Sequence, residues 1–200
     1  MFLTPKIELA IKQAASLHDG QKRKVSDVPY IVHPYAVAFL LAHYTDDEEV
    51  IIAGLLHDVL EDVPGYTEND LIAEFGARVT AIVKEVTEDY TEAEKEDHSL
   101  RKHNWKERKE KYLANLSDDS HEALLVATAD KVHNIRSLID DYAIHGEATW
   151  ERLGNKERIF WFYGETVRII SDRLDHPLAE ELRKTFEEAI ESTSVLTKSQ

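Results

Sequence analysis

The sequence predicts one all-α domain over residues 1–200, built from roughly eight or more helices by the count of helix-period segments. Three observations predict it. Apolar residues recur at helical spacing along nearly the whole chain. No alternating strand pattern of useful length, no internal repeat and no low-complexity linker interrupts them. The length of 200 residues is enough for one sizeable core and short for two.

Thr4-Pro5 reads as an N-cap followed by proline at the first helical position. Ile7, Ala10, Ile11, Ala14 and Leu17 then fall on one helix face. Pro34 starts a second helix, with Val37, Leu40, Leu41 and Tyr44 inward. Thr45 and Glu48 have capping-box spacing and open a helix through VIIAGLLHDVLED. That helix is apolar nearly all round before His57, which predicts a central, buried position. Thr67 caps the next helix and Gly76 ends it in a left-handed conformation. Ala77 to Glu88 is helix again. From Asp89 to Asp119 the chain is highly charged, with Trp105, Tyr112, Leu113 and Leu116 as its few large apolar residues. That stretch reads as a surface helix flanked by mobile loops. A long helix follows through EALLVATADKVHNIRSLIDDY, and two more run from about Asn155 to Leu174 and from Pro177 to Glu191.

Composition narrows the function classes. Apolar residues make up 42% and charged residues 32%, as in soluble globular proteins. No apolar run approaches the ~20 residues that span a bilayer, so no membrane partner is expected. The N-terminus, MFLTPKIELA, has no basic region leading into an apolar stretch, which predicts a cytoplasmic protein without a secretory signal. With no cysteine, disulfides and thiolate ligands are excluded, and any metal must be held by histidine and carboxylate. The formal charge is −15, from 24 Lys+Arg against 39 Asp+Glu. Such a surface repels a phosphate backbone, so nucleic acid is not an expected partner. A small polyanionic substrate stays compatible, because a metal and a few local cations reverse the sign inside a pocket. The oligomeric state is left open.

Four places put histidines, acids or cations where packing alone gives a poor account. They are His33 in PYIVHP; His57-Asp58 followed by Glu61-Asp62 in LLHDVLED; Asp130 and Asn134 in ATADKVHN; and the cationic QKRK before His33. On one continuous helix, positions 57 and 61 lie about 40° apart and 58 and 61 about 60° apart, so His57, Asp58 and Glu61 share a face with Asp62 at its border. An unpaired buried carboxylate costs several kcal/mol, so acids in apolar helices need a cation or a dense hydrogen-bond set. Two imidazoles and two carboxylates around a divalent metal leave positions open for water and a phosphate oxygen. Manganese or iron suits that mixed donor set better than calcium, with zinc and magnesium as alternatives. Singly, each residue has a plainer reading. His33 could be a satisfied core histidine, Asp130 could pair with Arg136, and Glu61-Asp62 could be a solvated helix end.

Together these residues resemble the HD superfamily of metal-dependent phosphohydrolases. More narrowly, they resemble the hydrolase domain of the RelA/SpoT enzymes and the small alarmone hydrolases. The segments HDGQKRK, PYIVHPYAVAFLL, AGLLHDVLEDV, FGARVTAIVKEVTE and TADKVHNIRSL carry the likeness across most of Ala14 to Leu138. The resemblance implies a single HD-type domain that removes the 3′-pyrophosphate of guanosine tetra- or pentaphosphate, with manganese as the usual metal. It implies His33, His57, Asp58 and Asp130 as metal ligands. Glu61 is implied as the residue that orients and deprotonates water, with Asp62 assisting. Arg23 and Lys24 match the basic pair that meets the nucleotide, and Asn134 and Ser137 match positions on its ribose and phosphate side. Lys106, Arg108 and Lys109 match basic residues near the distal phosphates. One departure stands out: VSDV fills the interval between Lys24 and Pro29, where many relatives have a glycine. Adenosine alarmones are therefore an alternative substrate. An HD-type nucleotidase releasing orthophosphate and a non-catalytic alarmone-binding regulator are further alternatives. The chain is too short for the synthetase domain of bifunctional relatives, so hydrolysis alone is expected.

Overall fold

Thr4 caps α1 (Pro5–Leu17) through a hydrogen bond from the Ile7 amide, with Pro5 in the first turn where its missing N–H costs nothing. The computed structural model describes residues 3–88, 90–91, 93–94 and 97–195. Asp89 and the two ends of the expected 1–200 domain lie outside these. After α1 come α2 (Val32–Tyr44), α3 (Glu48–Leu56), α4 (Val59–Asp62), α5 (Glu68–Phe75) and α6 (Ala77–Val86). The second half holds α7 (His98–His103), α8 (Trp105–Leu116), α9 (His121–His145), α10 (Ala148–Leu153), α11 (Lys156–Arg173) and α12 (Pro177–Val195). Among the described residues there is no strand, only one isolated bridge between Lys22 and Pro29.

The all-α reading holds, and α3 and α9 form its centre. Every residue from Val50 to Leu56 is buried, as is every residue from Ala123 to Asp130. A helix apolar on all sides must be enclosed on all sides. α3 is enclosed by α1, α2, α6 and α9, and α9 by α2, α3, α6, α10, α11 and α12. Gly54 permits the tightest of these contacts. A Cβ there would lie 2.4 Å from Leu41 Cδ1 and 3.4 Å from Val37 Cγ1, so α2 could not approach any larger residue as closely.

Several expectations are corrected. Thr45 and Glu48 do not form a capping box. The Glu48 carboxylate is engaged by the Thr4 hydroxyl, and the cap of α3 is Asp47, which accepts from the Glu49 and Val50 amides. The expected continuous helix through VIIAGLLHDVLED is broken at His57-Asp58 into α3 and α4. There the His57 imidazole bonds back to the Gly54 carbonyl, a side-chain partner competing with the backbone ladder where the ladder stops. Gly76 has φ +92° but ψ 169°, a glycine-only extended conformation and not the left-handed helical one. Among its described residues the charged stretch contains α7 and α8 in place of a single helix, and α10 is a further helix that the periodicity does not predict.

Asp119 lies between α8 and α9 and is only 8% exposed. Burial, then the charge of Glu85, pushes its carboxyl up to about 7. Its folded pKa thus exceeds its unfolded value of about 3.9, so the fold favours the neutral acid and loses stability as pH rises from about 4 through 7. Asp119→Asn removes that loss. The variant is expected to exceed the parent by about 1 kcal/mol at pH 8 and to match it at pH 4, read by urea unfolding at both pH values. Equal differences at the two pH values would show that Asp119 is not the group responsible.

Candidate metal centre and active site

Three parts of the chain converge. α2 brings His33, the α3–α4 junction brings His57 and Asp58, and α9 brings Asp130. His33, His57 and Asp130 are buried and Asp58 half-buried. The Nε2 atoms of His33 and His57 face each other at 3.2 Å. Asp58 Oδ2 lies 3.1 Å from His57 Nε2 and 3.5 Å from His33 Nε2. Asp130 Oδ1 lies 3.1 Å from His33 Nε2 and 3.8 Å from His57 Nε2. Donors arranged about one ion at about 2.1 Å stand about 3.0–3.4 Å from their neighbours in octahedral or tetrahedral geometry. His33, His57 and Asp58 form the tightest set, with all donor atoms within 4.8 Å of one another.

The donor set demands a positive charge at its centre. Gly54 O can only accept, so His57 Nδ1 donates to it at 2.9 Å and the neutral ring turns its Nε2 lone pair inward. His33 Nδ1 meets His133 Nδ1 at 2.8 Å, so these two rings share one hydrogen. With that hydrogen on His33, its Nε2 lone pair also points inward. Burial opposes charge on His57, but the Asp58 charge and the hydrogen bonds that the ring donates to Asp130 and Asp58 prevail and hold the imidazole well above its ordinary range. Burial likewise opposes charge on Asp58 and Asp130. His57 nonetheless holds Asp58 low, while Lys131 and then the two imidazoles hold Asp130 low. A proton on His57 meets the demand in the metal-free chain. A divalent cation meets it better, because all four donors can point at it.

Supporting contacts hold the two carboxylates. The Tyr30 hydroxyl donates to Asp58 Oδ2 at 2.6 Å. Lys131 Nζ pairs with Asp130 Oδ2, and Asn134 Nδ2 donates to Asp130 Oδ1. Asn134 Oδ1 in turn accepts from Arg23 at 2.7 Å, which fixes the amide orientation. The alternative pairing of Asp130 with Arg136 is not formed, since Arg136 pairs with Glu181.

Arg23 thus reaches the centre through Asn134, while Lys24 is exposed and Ser137 lies half-buried on α9, near Asn134 on the same face. Lys106 is exposed. It pairs with Glu110 along the outside of α8 because it lies on that helix's solvent face. Arg108 and Lys109 turn inward to Glu88. The departure at VSDV is absorbed by the backbone. Asp27 adopts φ +58°, which a glycine takes freely and aspartate tolerates, and the turn closes with Arg23 N–H donating to Val28 O at 2.9 Å.

Glu61 is not hydrogen-bonded to the four-residue cluster. Its Oε1 accepts from the Tyr90 hydroxyl at 3.0 Å and its Oε2 from the Glu88 amide at 3.3 Å. Burial, followed by the charges of Asp58, Asp62 and Glu88, raises its carboxyl to about 7. Burial and then Asp58 raise Asp62 as well, against the Tyr30 hydroxyl and the charges of His18 and Lys24. His18 hydrogen-bonds Gln21, whose amide donates to the Asp62 carbonyl at 3.0 Å. Sequence reasoning missed Tyr30, Tyr90, Lys131 and His133. Lys131 and His133 were legible only as neighbours of Asp130 and Asn134; the two tyrosines carried no local signal.

A family model described as an HD domain matches residues 10–160. A Haemophilus influenzae protein named guanosine-3′,5′-bis(diphosphate) 3′-pyrophosphohydrolase is 40% identical over 125 residues, covering 62% of this chain and 17% of that protein. The Danio rerio protein of the same name, MESH1, is 41% identical over 128 residues, covering 62% of this chain and 64% of that protein. A solved structure described as a metazoan ortholog of SpoT that hydrolyzes ppGpp aligns with a TM-score of 0.74 at 28% identity, over 94% of this chain and 97% of that one. The structure of lmo0812 from Listeria monocytogenes EGD-e aligns at 0.66 with 26% identity, over 78% of this chain and 96% of that one.

Proposed function

The chain belongs to the HD domain family, and on that premise we propose that it removes the 3′-pyrophosphate of guanosine tetra- and pentaphosphate, releasing pyrophosphate. The observation that carries the reading is the convergence of two imidazole Nε2 atoms with the carboxylates of Asp58 and Asp130, four donors that a divalent cation between them would satisfy. The names of the Haemophilus and Danio relatives support the substrate class. We take His33, His57, Asp58 and Asp130 as the ligands and manganese as the metal. A divalent metal held there supplies Lewis acidity toward a phosphate and toward water.

The remaining chemistry falls to side chains. Glu61, with a carboxyl near neutrality, takes the proton of the attacking water, and Asp62 assists. Arg23 and Lys24 meet the nucleotide's anionic groups. Asn134 and Ser137 line its ribose and phosphate side. Arg108 and Lys109, drawn inward beside Glu88, face the distal phosphates. A net charge of −15 argues against a nucleic-acid partner. Among the described residues no helix is long and apolar enough to cross a membrane. A cytoplasmic location and a single domain over residues 1–200 fit a small nucleotide substrate.

Guanosine is taken as the base, with adenosine as the alternative. Metal-stripped protein incubated with ppGpp or ppApp, with and without manganese, tests both points. Manganese-dependent pyrophosphate release from ppGpp, faster than from ppApp, is the expected result. Orthophosphate as the product would favour a nucleotidase, and faster turnover of ppApp would reverse the base assignment. No product from either nucleotide by the metal-loaded protein would sink the reading.

A further inference from the structure

The charged stretch after α6 is built around buried ions. Glu88 and Glu94 are 7% and 3% exposed. Arg108 donates to Glu88 at 2.9 Å and lies 3.5 Å from Glu94, while Lys109 takes the second oxygen of Glu88. The Thr91 amide and hydroxyl donate to Glu94 at 2.9 and 2.8 Å, and Asn104 donates to its other oxygen at 3.1 Å. Tyr90 sits inside this frame, its ring 4.7 Å from the Arg108 guanidinium carbon. Its hydroxyl and the Glu88 amide take one oxygen each of Glu61. A carboxylate held at both oxygens has little freedom to turn. Satisfied buried polar networks hold their members in place, whereas surface ion pairs contribute little.

We propose that Tyr90 is a positioning residue for Glu61, setting its carboxylate through the hydroxyl while Arg108 fixes the tyrosine ring. Tyr90 would then act on the chemistry without touching the reacting atoms. This inference rests on the reading of Glu61 as the base, and its test separates the two.

Tyr90→Phe removes one hydroxyl and leaves the ring over Arg108. It is expected to lower kcat for ppGpp about tenfold, with KM within about twofold and an unchanged melting temperature. The same substitution placed in Glu61→Gln is expected to change the residual rate by less than about twofold, because two residues acting through one group do not add. The carboxyl carbon signal of Glu61, followed by NMR in metal-free protein, is expected to shift in Tyr90→Phe. Equal fold losses in both backgrounds, or no loss in either, would overturn the positioning role. If the parent protein released nothing from ppGpp, the functional reading would fall. The Glu61 signal would still decide the inference, with an unmoved signal overturning it.

Discussion

Glu61→Gln is expected to lower kcat for ppGpp by about 10²- to 10⁴-fold, the range over which a positioned general base contributes. KM and manganese affinity should stay within a few-fold of the parent, because Glu61 is not hydrogen-bonded to the metal cluster. The pH dependence gives a second readout with a defined sign. A base works only when ionised, so kcat should rise with pH through the carboxyl's pKa. In the metal-free chain burial and the charges of Asp58, Asp62 and Glu88 put that value at about 7. A bound cation offsets the Asp58 charge, so the acid limb of the loaded enzyme is expected at or somewhat below that pH. The limb should vanish in Glu61→Gln. A parent profile flat from pH 5 to 8, or a Gln variant that keeps both its rate and its acid limb, would remove Glu61 from the role of base.

This prediction depends on geometry that the sequence only half displayed. His57, Asp58 and Asp130 stand out because charged residues inside apolar helical stretches need a physical reason. His33 joins them because the turn before Pro34 starts a helix that packs on α3. What periodicity could not show is that the helix breaks between His57 and Asp58. The break depends on an imidazole bonding to Gly54 O, a side-chain event with no signature in apolar spacing. Counting angles along one helix groups Glu61 with His57 and Asp58, and only the fold adds that its carboxylate is held by Tyr90 and the Glu88 amide.

Distance along the chain hid the rest. His133 meets His33 across 100 positions and Arg23 meets Asn134 across 111, pairings that no local pattern encodes. Asp47 displaced Thr45 as the cap of α3 because Glu48 was drawn away by Thr4, 44 positions earlier. The charged stretch looked like a solvated surface because its ions are many. Only the fold shows that Glu88 and Glu94 are buried and paired with a half-buried Arg108.

Asp130→Asn and Asp58→Asn should both abolish manganese binding and lower turnover more than about 10³-fold, but they should differ in the metal-free state. Asp130 carries two loads. It is a proposed metal ligand, and it is also the partner of Lys131, whose side chain is only 12% exposed. Removing its charge leaves that ammonium without a counterion in a pocket walled by Tyr112 and Phe162. Breaking a buried pair by removing one partner costs about 3 kcal/mol, which for a domain of this size lowers the melting temperature by about 6–12 °C. Asp58 is half-buried, and an amide oxygen there can still accept from the Tyr30 hydroxyl, so its loss should cost the metal-free fold about 1 kcal/mol. Manganese at about 100 times its dissociation constant should stabilise the parent by about 2.7 kcal/mol and leave both variants unmoved. Thermal melts of the three proteins with and without manganese read all of this at once, with no substrate present. A parent melt that manganese does not raise, or a variant that it raises equally, would mean that the metal is held by another set of residues.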